Sequence, residues 1–233
     1  MSQLQGALDL LQADARPSAL AGMVRFGINP EGRLGLSVPA MRCIAKTLGH
    51  DHELALMLWD TGLPEAQIVA GMVAEPSKLT SSQMDAWVSD FASWDVCDQV
   101  CGSSFRASSL AWRKVSEWAL RNEEFVRRAA FALLATLAVH DKKASDDRFM
   151  SILPLIESVA GDERNFVKKA VNWALRTIGK RNLVLHACAI EAALRIQQQG
   201  TQSARWIASD ALRELKSGSV QARLLNRQRQ ANK

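Results

Sequence analysis

Apolar residues recur at three- and four-residue spacing in segment after segment of this chain, the period of an amphipathic helix. Leu54, Ala55, Met57, Leu58 and Trp59 fall in one such segment, which Asp60-Thr61-Gly62 ends. Ile68, Val69, Met72 and Val73 make the next. Thr80-Ser81-Ser82 offers side-chain oxygens that cap a helix carrying Met84, Trp87, Val88 and Phe91. The same spacing predicts further helices near 94–102, 107–121, 123–139, 145–160, 163–179, 182–199 and 203–215. Strand-like alternation and hairpin signatures are absent. Near the N-terminus, Gly27, Asn29, Pro30, Gly32 and Gly35 make a flexible stretch, and Pro39 opens a helix at Val38-Pro39-Ala40. Such a loop can aim a helix N-terminus at an anion, but a plain connector is the ordinary reading.

Most of the predicted helices run about 12–17 residues between short polar turns, so helix pairs repeat every 35–45 residues or so, as in HEAT-like or armadillo-like units. No sequence motif repeats with them, so the repeat is architectural. The predicted fold is all-α, with HEAT-like helical repeats stacked into a curved solenoid; a compact helical bundle is the rival. The length of 233 residues suits one mid-sized domain. We expect it to span 1–215, with 216–233 a basic, disordered tail. A hydrophobic share of 48% and a mean hydropathy close to zero point to a soluble protein. No apolar run approaches the ~20 residues of a membrane helix, and no leader pattern opens the chain. The expected compartment is cytoplasmic.

Charge and cysteine content narrow the partners. The formal net charge is +5. Lys216, Arg223, Arg227, Arg229 and Lys233 supply five positive charges after residue 215, with no acid among them. That asymmetry suggests an anionic partner, nucleic acid first; a solubilising end is the alternative. Cys43, Cys97, Cys101 and Cys188 lack a standard CxxC spacing, so no metal or other cofactor is expected and the thiols read as small core residues.

Three segments carry candidate chemistry. In Ser93-Trp94-Asp95-Val96-Cys97-Asp98-Gln99, Trp94 and Asp98 stand four apart and share a helix face. Asp95 suits the first turn of that helix, where the dipole favours an acid. In Glu123-Glu124-Phe125-Val126-Arg127-Arg128, a double arginine precedes a long apolar run. Between Asp162 and Asn182, Lys169, Trp173, Arg176 and Lys180 line one face, and Phe166, Val167, Ala170, Val171, Ala174 and Ile178 form the apolar stripe. A tryptophan inside a cationic stripe suits phosphate contacts flanking an aromatic that meets a base or sugar. A ring covered by lysine stems is the bland alternative.

Taken in order, Trp-Asp-x-x-Asp, Arg-Arg-Ala-Ala-Phe-Ala-Leu-Leu and Lys-Lys-Ala-x-x-Trp-x-Leu-Arg resemble the AlkD-like DNA alkylation repair family. Phe26-Gly27-Ile28, Val38-Pro39-x-x-Arg42 and the Leu58-Trp59 helix are similar to its N-terminal portion. The resemblance runs from about Phe26 to Leu215 and leaves both ends unaccounted for. It implies a monomeric, cofactor-free glycosylase that releases positively charged N-alkylated purines, such as 3-methyladenine and 7-methylguanine, from duplex DNA. It implies catalytic roles for Asp98, Trp94, Trp173 and Arg128, with Arg127 the alternative to Arg128. Arg42, Lys46, Arg127, Lys168, Lys169, Arg176, Lys180 and Arg181 would contact DNA. A non-catalytic DNA-binding repeat protein and a protein-interaction scaffold are the rival readings.

The chemistry fits those residue types. An N-alkylated purine already carries positive charge and leaves neutral, so no general acid is required. Positive charge then builds on the deoxyribose, as in sugar hydrolysis generally. A carboxylate can stabilise it and orient the attacking water, and aromatic faces attract a cationic base. No lysine stands out beside Asp98 for a Schiff base, so the expected product is an abasic site in an uncut strand.

Overall fold

The computed structural model describes residues 2–231. Among them are fourteen α-helices and no strand, and no helix long and apolar enough to cross a membrane. The chain divides into two compact units, one ending at Ala111 and the other beginning at Trp112.

The first unit holds α1 (Gln3–Ala13), α2 (Pro17–Val24), α3 (Val38–Leu48), α4 (His52–Asp60), α5 (Pro64–Val73), α6 (Ser81–Ser89) and α7 (Trp94–Val100). These helices, of seven to eleven residues, are shorter than the spacing suggested. Local signals cut them. Ser37, Asp51 and Thr80 cap α3, α4 and α6 by accepting backbone amides from Ala40, Leu54 and Gln83. Proline stands in the first turn of α2, α3 and α5. Phe91, assigned by its spacing to α6, lies beyond the end of that helix.

α5 is the centre of this unit. It packs against α3, α4 and α7, and Ala66, Ile68, Val69, Ala70 and Val73 are all inaccessible. Gly71 lets α7 come close: a Cβ there would lie 2.9 Å from the Val100 side chain. Trp59 stacks on Trp87 with ring centroids 4.2 Å apart, and its indole N–H donates to Asp90 at 2.8 Å.

The second unit holds α8 (Ala111–Ala119), which opens at the boundary, α9 (Glu124–His140), α10 (Asp146–Val159), α11 (Asn165–Ile178), α12 (Leu183–Gln197), α13 (Gln202–Leu215) and α14 (Gly218–Ala231). From Arg128 to Ala138 every residue of α9 is buried, as a helix apolar on all sides requires. α11 packs on α9 and α13, while α12 packs on α10 and α13. Alternate helices thus share a layer, the arrangement expected of HEAT-like pairs. Gly179 sits where a Cβ would come within 2.8 Å of Leu215, so α11 and α13 close tightly only over a glycine.

Of the segment expected to be a disordered tail, residues 218–231 are helical. They form α14, with Val220 and Leu224 buried. Those two apolar residues, four apart, give a largely polar segment one face, and α14 packs against α12 and α13. Lys233 lies outside the described residues. Cys97 and Cys101 are core residues as expected, but Cys43 is exposed on α3. No cluster of three or more metal-ligating side chains occurs among the described residues.

Candidate active site and nucleic-acid interface

The four candidate catalytic residues divide between the units, Trp94 and Asp98 in the first and Arg128 and Trp173 in the second.

Ser93 is extended, with φ −149° and ψ 145°, and α7 starts immediately after it. Val96, Cys97 and Val100 face inward, while Trp94, Asp95, Asp98 and Gln99 stay partly exposed. Trp94 and Asp98 therefore share the outer face, one turn apart. The Trp94 indole N–H donates to the Phe26 carbonyl at 3.0 Å, which fixes the ring. Asp95 does more than favour the dipole. Arg33 donates to its two oxygens at 2.8 and 2.9 Å, and the Ser93 hydroxyl donates as well. Because Arg33 is buried, this fork ties the glycine-rich loop to the start of α7.

That loop is itself braced. Gly35 has φ +81°, and a Cβ there would collide with the Arg16 carbonyl. Its amide and that of Leu34 donate to the buried Glu65 carboxylate at 2.9 and 3.1 Å. The loop is a tied element, and the plain-connector reading understates it.

Directly beyond α7 lies a π-helical segment, Cys101–Phe105. The Ser103 hydroxyl donates back to the Gln99 carbonyl at 2.6 Å. Short π segments concentrate at functional sites, and this one follows Asp98 by three residues. On α3, Arg42 and Lys46 are exposed one turn apart, and Arg42 reaches the Gln99 side chain at 3.5 Å. Two of the expected DNA-contacting cations thus stand on one helix, one of them beside the Asp98 turn.

In the second unit, Arg128 is buried and donates to the Phe166 carbonyl, in the first turn of α11, at 2.7 Å. Arg127 is partly exposed and pairs with Asp162 at 2.9 Å. Asp162 also accepts two bonds from the Arg164 guanidinium. Burial pushes its carboxyl up, but the Arg164 and Arg127 hydrogen bonds outweigh that and hold it at about 2. Of the two arginines, Arg127 is engaged in an ion pair and Arg128 joins α9 to α11.

The cationic face of α11 is largely matched from α13. Arg176 pairs with Glu214 at 2.6 Å and Asp210 at 3.2 Å, and Lys180 pairs with Glu214 at 2.6 Å. Burial raises the Glu214 carboxyl, yet Lys180 and Arg176 hold it below the usual value. Arg181 donates to the Ala138, Asp141 and Ala144 carbonyls at 2.6, 3.1 and 3.4 Å. Its guanidinium lies 4.2 Å from the Phe149 ring centroid, and burial lowers its pKa. Lys168 sits 5.7 Å from the ring centroid of Trp206, an exposed aromatic on α13. Lys169 is exposed. Trp173 is half-buried and lines an open cleft of about 420 Å³ with Lys142, Lys180, Arg181, Asn182, Arg223 and Arg227. Lys142, Arg223 and Arg227 join this surface from outside the three motif segments. The signal for the last two was their four-residue spacing beside Val220 and Leu224.

Together these features define an all-helical repeat protein with an aromatic–carboxylate pair in one unit and a tryptophan in a basic cleft in the other. Residues 7–215 match the family model described as DNA alkylation repair enzyme, and the chain belongs to that family. The match begins well before Phe26, so it takes in part of the N-terminal region that the resemblance had left out. No match is found among curated proteins. A solved structure described as "a new family of proteins related to the HEAT-like repeat DNA glycosylases with affinity for branched DNA structures" is similar, with a TM-score of 0.74 and 21% identity. The similarity covers 91% of this chain and 94% of that one. The fold is that of the HEAT-like repeat proteins.

Proposed function

We propose that this protein is a monofunctional DNA glycosylase that hydrolyses the N-glycosidic bond of positively charged N-alkylated purines in duplex DNA. The observation that carries the reading is the outer face of α7. It presents Trp94 and Asp98 one turn apart, on a helix whose start is fixed by the buried Arg33–Asp95 pair. In this reading the Asp98 carboxylate stabilises positive charge as it develops on the deoxyribose and orients the attacking water. Trp94 offers a ring face to the cationic base or sugar. Trp173 offers a second ring to the DNA. Arg128, buried and bonded to the start of α11, holds the helix that carries Trp173 as well as any phosphate it reaches. Exposed Arg42, Lys46 and Lys169 contact the backbone and make binding salt-sensitive.

Membership of a family described as a DNA alkylation repair enzyme supports this reading. A second reading, a DNA-binding protein without glycosylase activity, is favoured by the likeness to a structure described as having affinity for branched DNA. Asp98→Asn separates the two. On a methylated duplex, the wild type is expected to release 7-methylguanine and the variant to bind the same duplex without releasing it. Equal release by both removes Asp98 from the mechanism. Binding without release by the wild type favours the second reading, and tighter binding to a four-way junction than to a plain duplex would specify it further.

A further inference from the structure

The cleft beside Trp173 has a wall that lies outside the family match. That match ends at residue 215, and α14 begins at Gly218. Val220 and Leu224 are buried in α14, which contacts α12 and α13. Arg227 donates to the Lys180 carbonyl at 3.1 Å, seating α14 at the end of α11. Arg223 and Arg227, one turn apart, both line the cleft, and Lys142 joins them from the loop after α9.

The lining holds five cations and no carboxylate. Lys180 is committed to Glu214 and Arg181 to three carbonyls, while Arg227 spends one N–H on the Lys180 carbonyl and keeps its charge without a countercharge. The nearby acids are committed too. Asp141 accepts from the Trp112 indole at 3.0 Å, and Asp146 accepts from Asn182 at 2.8 Å. Lys142, Arg223 and Arg227 are exposed and form no ion pair among the described residues. Three unmatched cations from two separate elements surround a half-exposed indole in an open, polar cleft. That composition suits a phosphodiester backbone passing an aromatic ring.

We propose that α14 is a DNA-binding arm in which Arg223 and Arg227, with Lys142, grip the phosphate backbone of a duplex beside Trp173. This rests on the reading that Trp173 meets DNA. A basic C-terminal segment is thereby an ordered part of the binding surface.

The test uses the full chain with Arg223→Gln/Arg227→Gln, and separately Lys142→Gln, titrated against an undamaged duplex at several salt concentrations. The slope of log affinity against log salt should fall by about 2 for the double variant and about 1 for Lys142→Gln, with affinity at low salt dropping on the order of tenfold per lost contact. Arg223→Lys/Arg227→Lys should keep most of the slope. Lys142 makes no side-chain bond among the described residues, so that variant decides the matter if the double variant misfolds by circular dichroism. Slopes equal to the wild type in folded variants overturn the arm. Release of 7-methylguanine by the wild type, measured in parallel, separates the two proposals. Unchanged slopes with release sink the arm alone, and reduced slopes without release leave the arm standing on a protein that is not a glycosylase.

Discussion

α7 and α11 each carry a tryptophan beside charged residues, and in both helices the neighbouring charges turn out to do different work from the candidate. On α7 the sequence offers two acids. Asp95 is held by Arg33, which stands 62 residues away in the chain, while Asp98 stays on the outer face with Trp94. On α11 it offers a run of bases. Arg176 and Lys180 are matched by Glu214, 38 and 34 residues away, while Lys169 remains exposed. The difference is one of degree. α7 has one structural ion pair locking its entry, whereas most of the cationic face of α11 is neutralised by α13. A charge in a functional-looking stripe therefore identifies a ligand contact only after the countercharges from other helices are known, and those are non-local.

The sharpest way to test the contrast on α7 is to remove its two acids separately. Asp98→Asn should cut 7-methylguanine release by on the order of 10²–10³-fold with folding intact, the size of effect seen when a charge-stabilising group is lost. Asp95→Ala should act on stability, because it leaves the buried Arg33 unpaired. A loss of about 3 kcal/mol in urea unfolding is expected. If Asp95→Ala left stability untouched, the structural role assigned to the pair would fail.

On α11, Trp173→Ala should slow release by about 10–30-fold, the equivalent of a desolvated cation–π contact of up to ~2 kcal/mol. Arg176→Ala should instead lower the melting temperature, since it strips Glu214 and Asp210 of a partner.

The turn leading into α11 gives a pH signature. The Asp162 carboxyl sits at about 2 in the folded chain, against 3.8 as its reference value. A depressed folded value means the stabilisation is present above about pH 4 and is lost as pH falls toward 2. About 1–2 kcal/mol is at stake after allowance for solvent screening. Acid titration of stability should show this limb, and Asp162→Asn should flatten it. The smallest expected effect belongs to Lys169→Gln: stability within about 0.5 kcal/mol of the wild type, and a salt slope for duplex binding lower by about 1.

Much of the fold was legible because its signals are local. The three- and four-residue apolar period located α4 to α13, and Thr80, Pro39 and Gly62 marked ends where backbone chemistry demanded them. The short helices α1 and α2 were missed, since eight to eleven residues with few buried positions leave a faint pattern. α14 was read as a disordered tail because its charge and polarity outweighed the two apolar positions that dock it. Of the candidate site, the sequence offers Trp94, Asp98 and Trp173 as motif positions, and the structure leaves all three partly exposed. What could not be read was which of the neighbouring charges are internally paired. Arg33 for Asp95, Asp162 for Arg127 and Glu214 for Arg176 all come from other segments, and no periodicity records such pairings. The π segment after α7 was equally hidden, since its cause is local hydrogen bonding by Ser103 and not a pattern of apolar residues.

The central claim is that the wild-type chain recognises a cationic base and cuts its glycosidic bond. The most direct measurement is base release by the full chain from two duplexes, one carrying 7-methylguanine and one carrying a neutral lesion such as uracil, followed by alkaline cleavage to reveal abasic sites. Release of 7-methylguanine alone, with strand breaks appearing only after alkali, is the predicted result. No release from the methylated duplex under conditions where the protein is bound to it, or equal release of uracil, would contradict the claim.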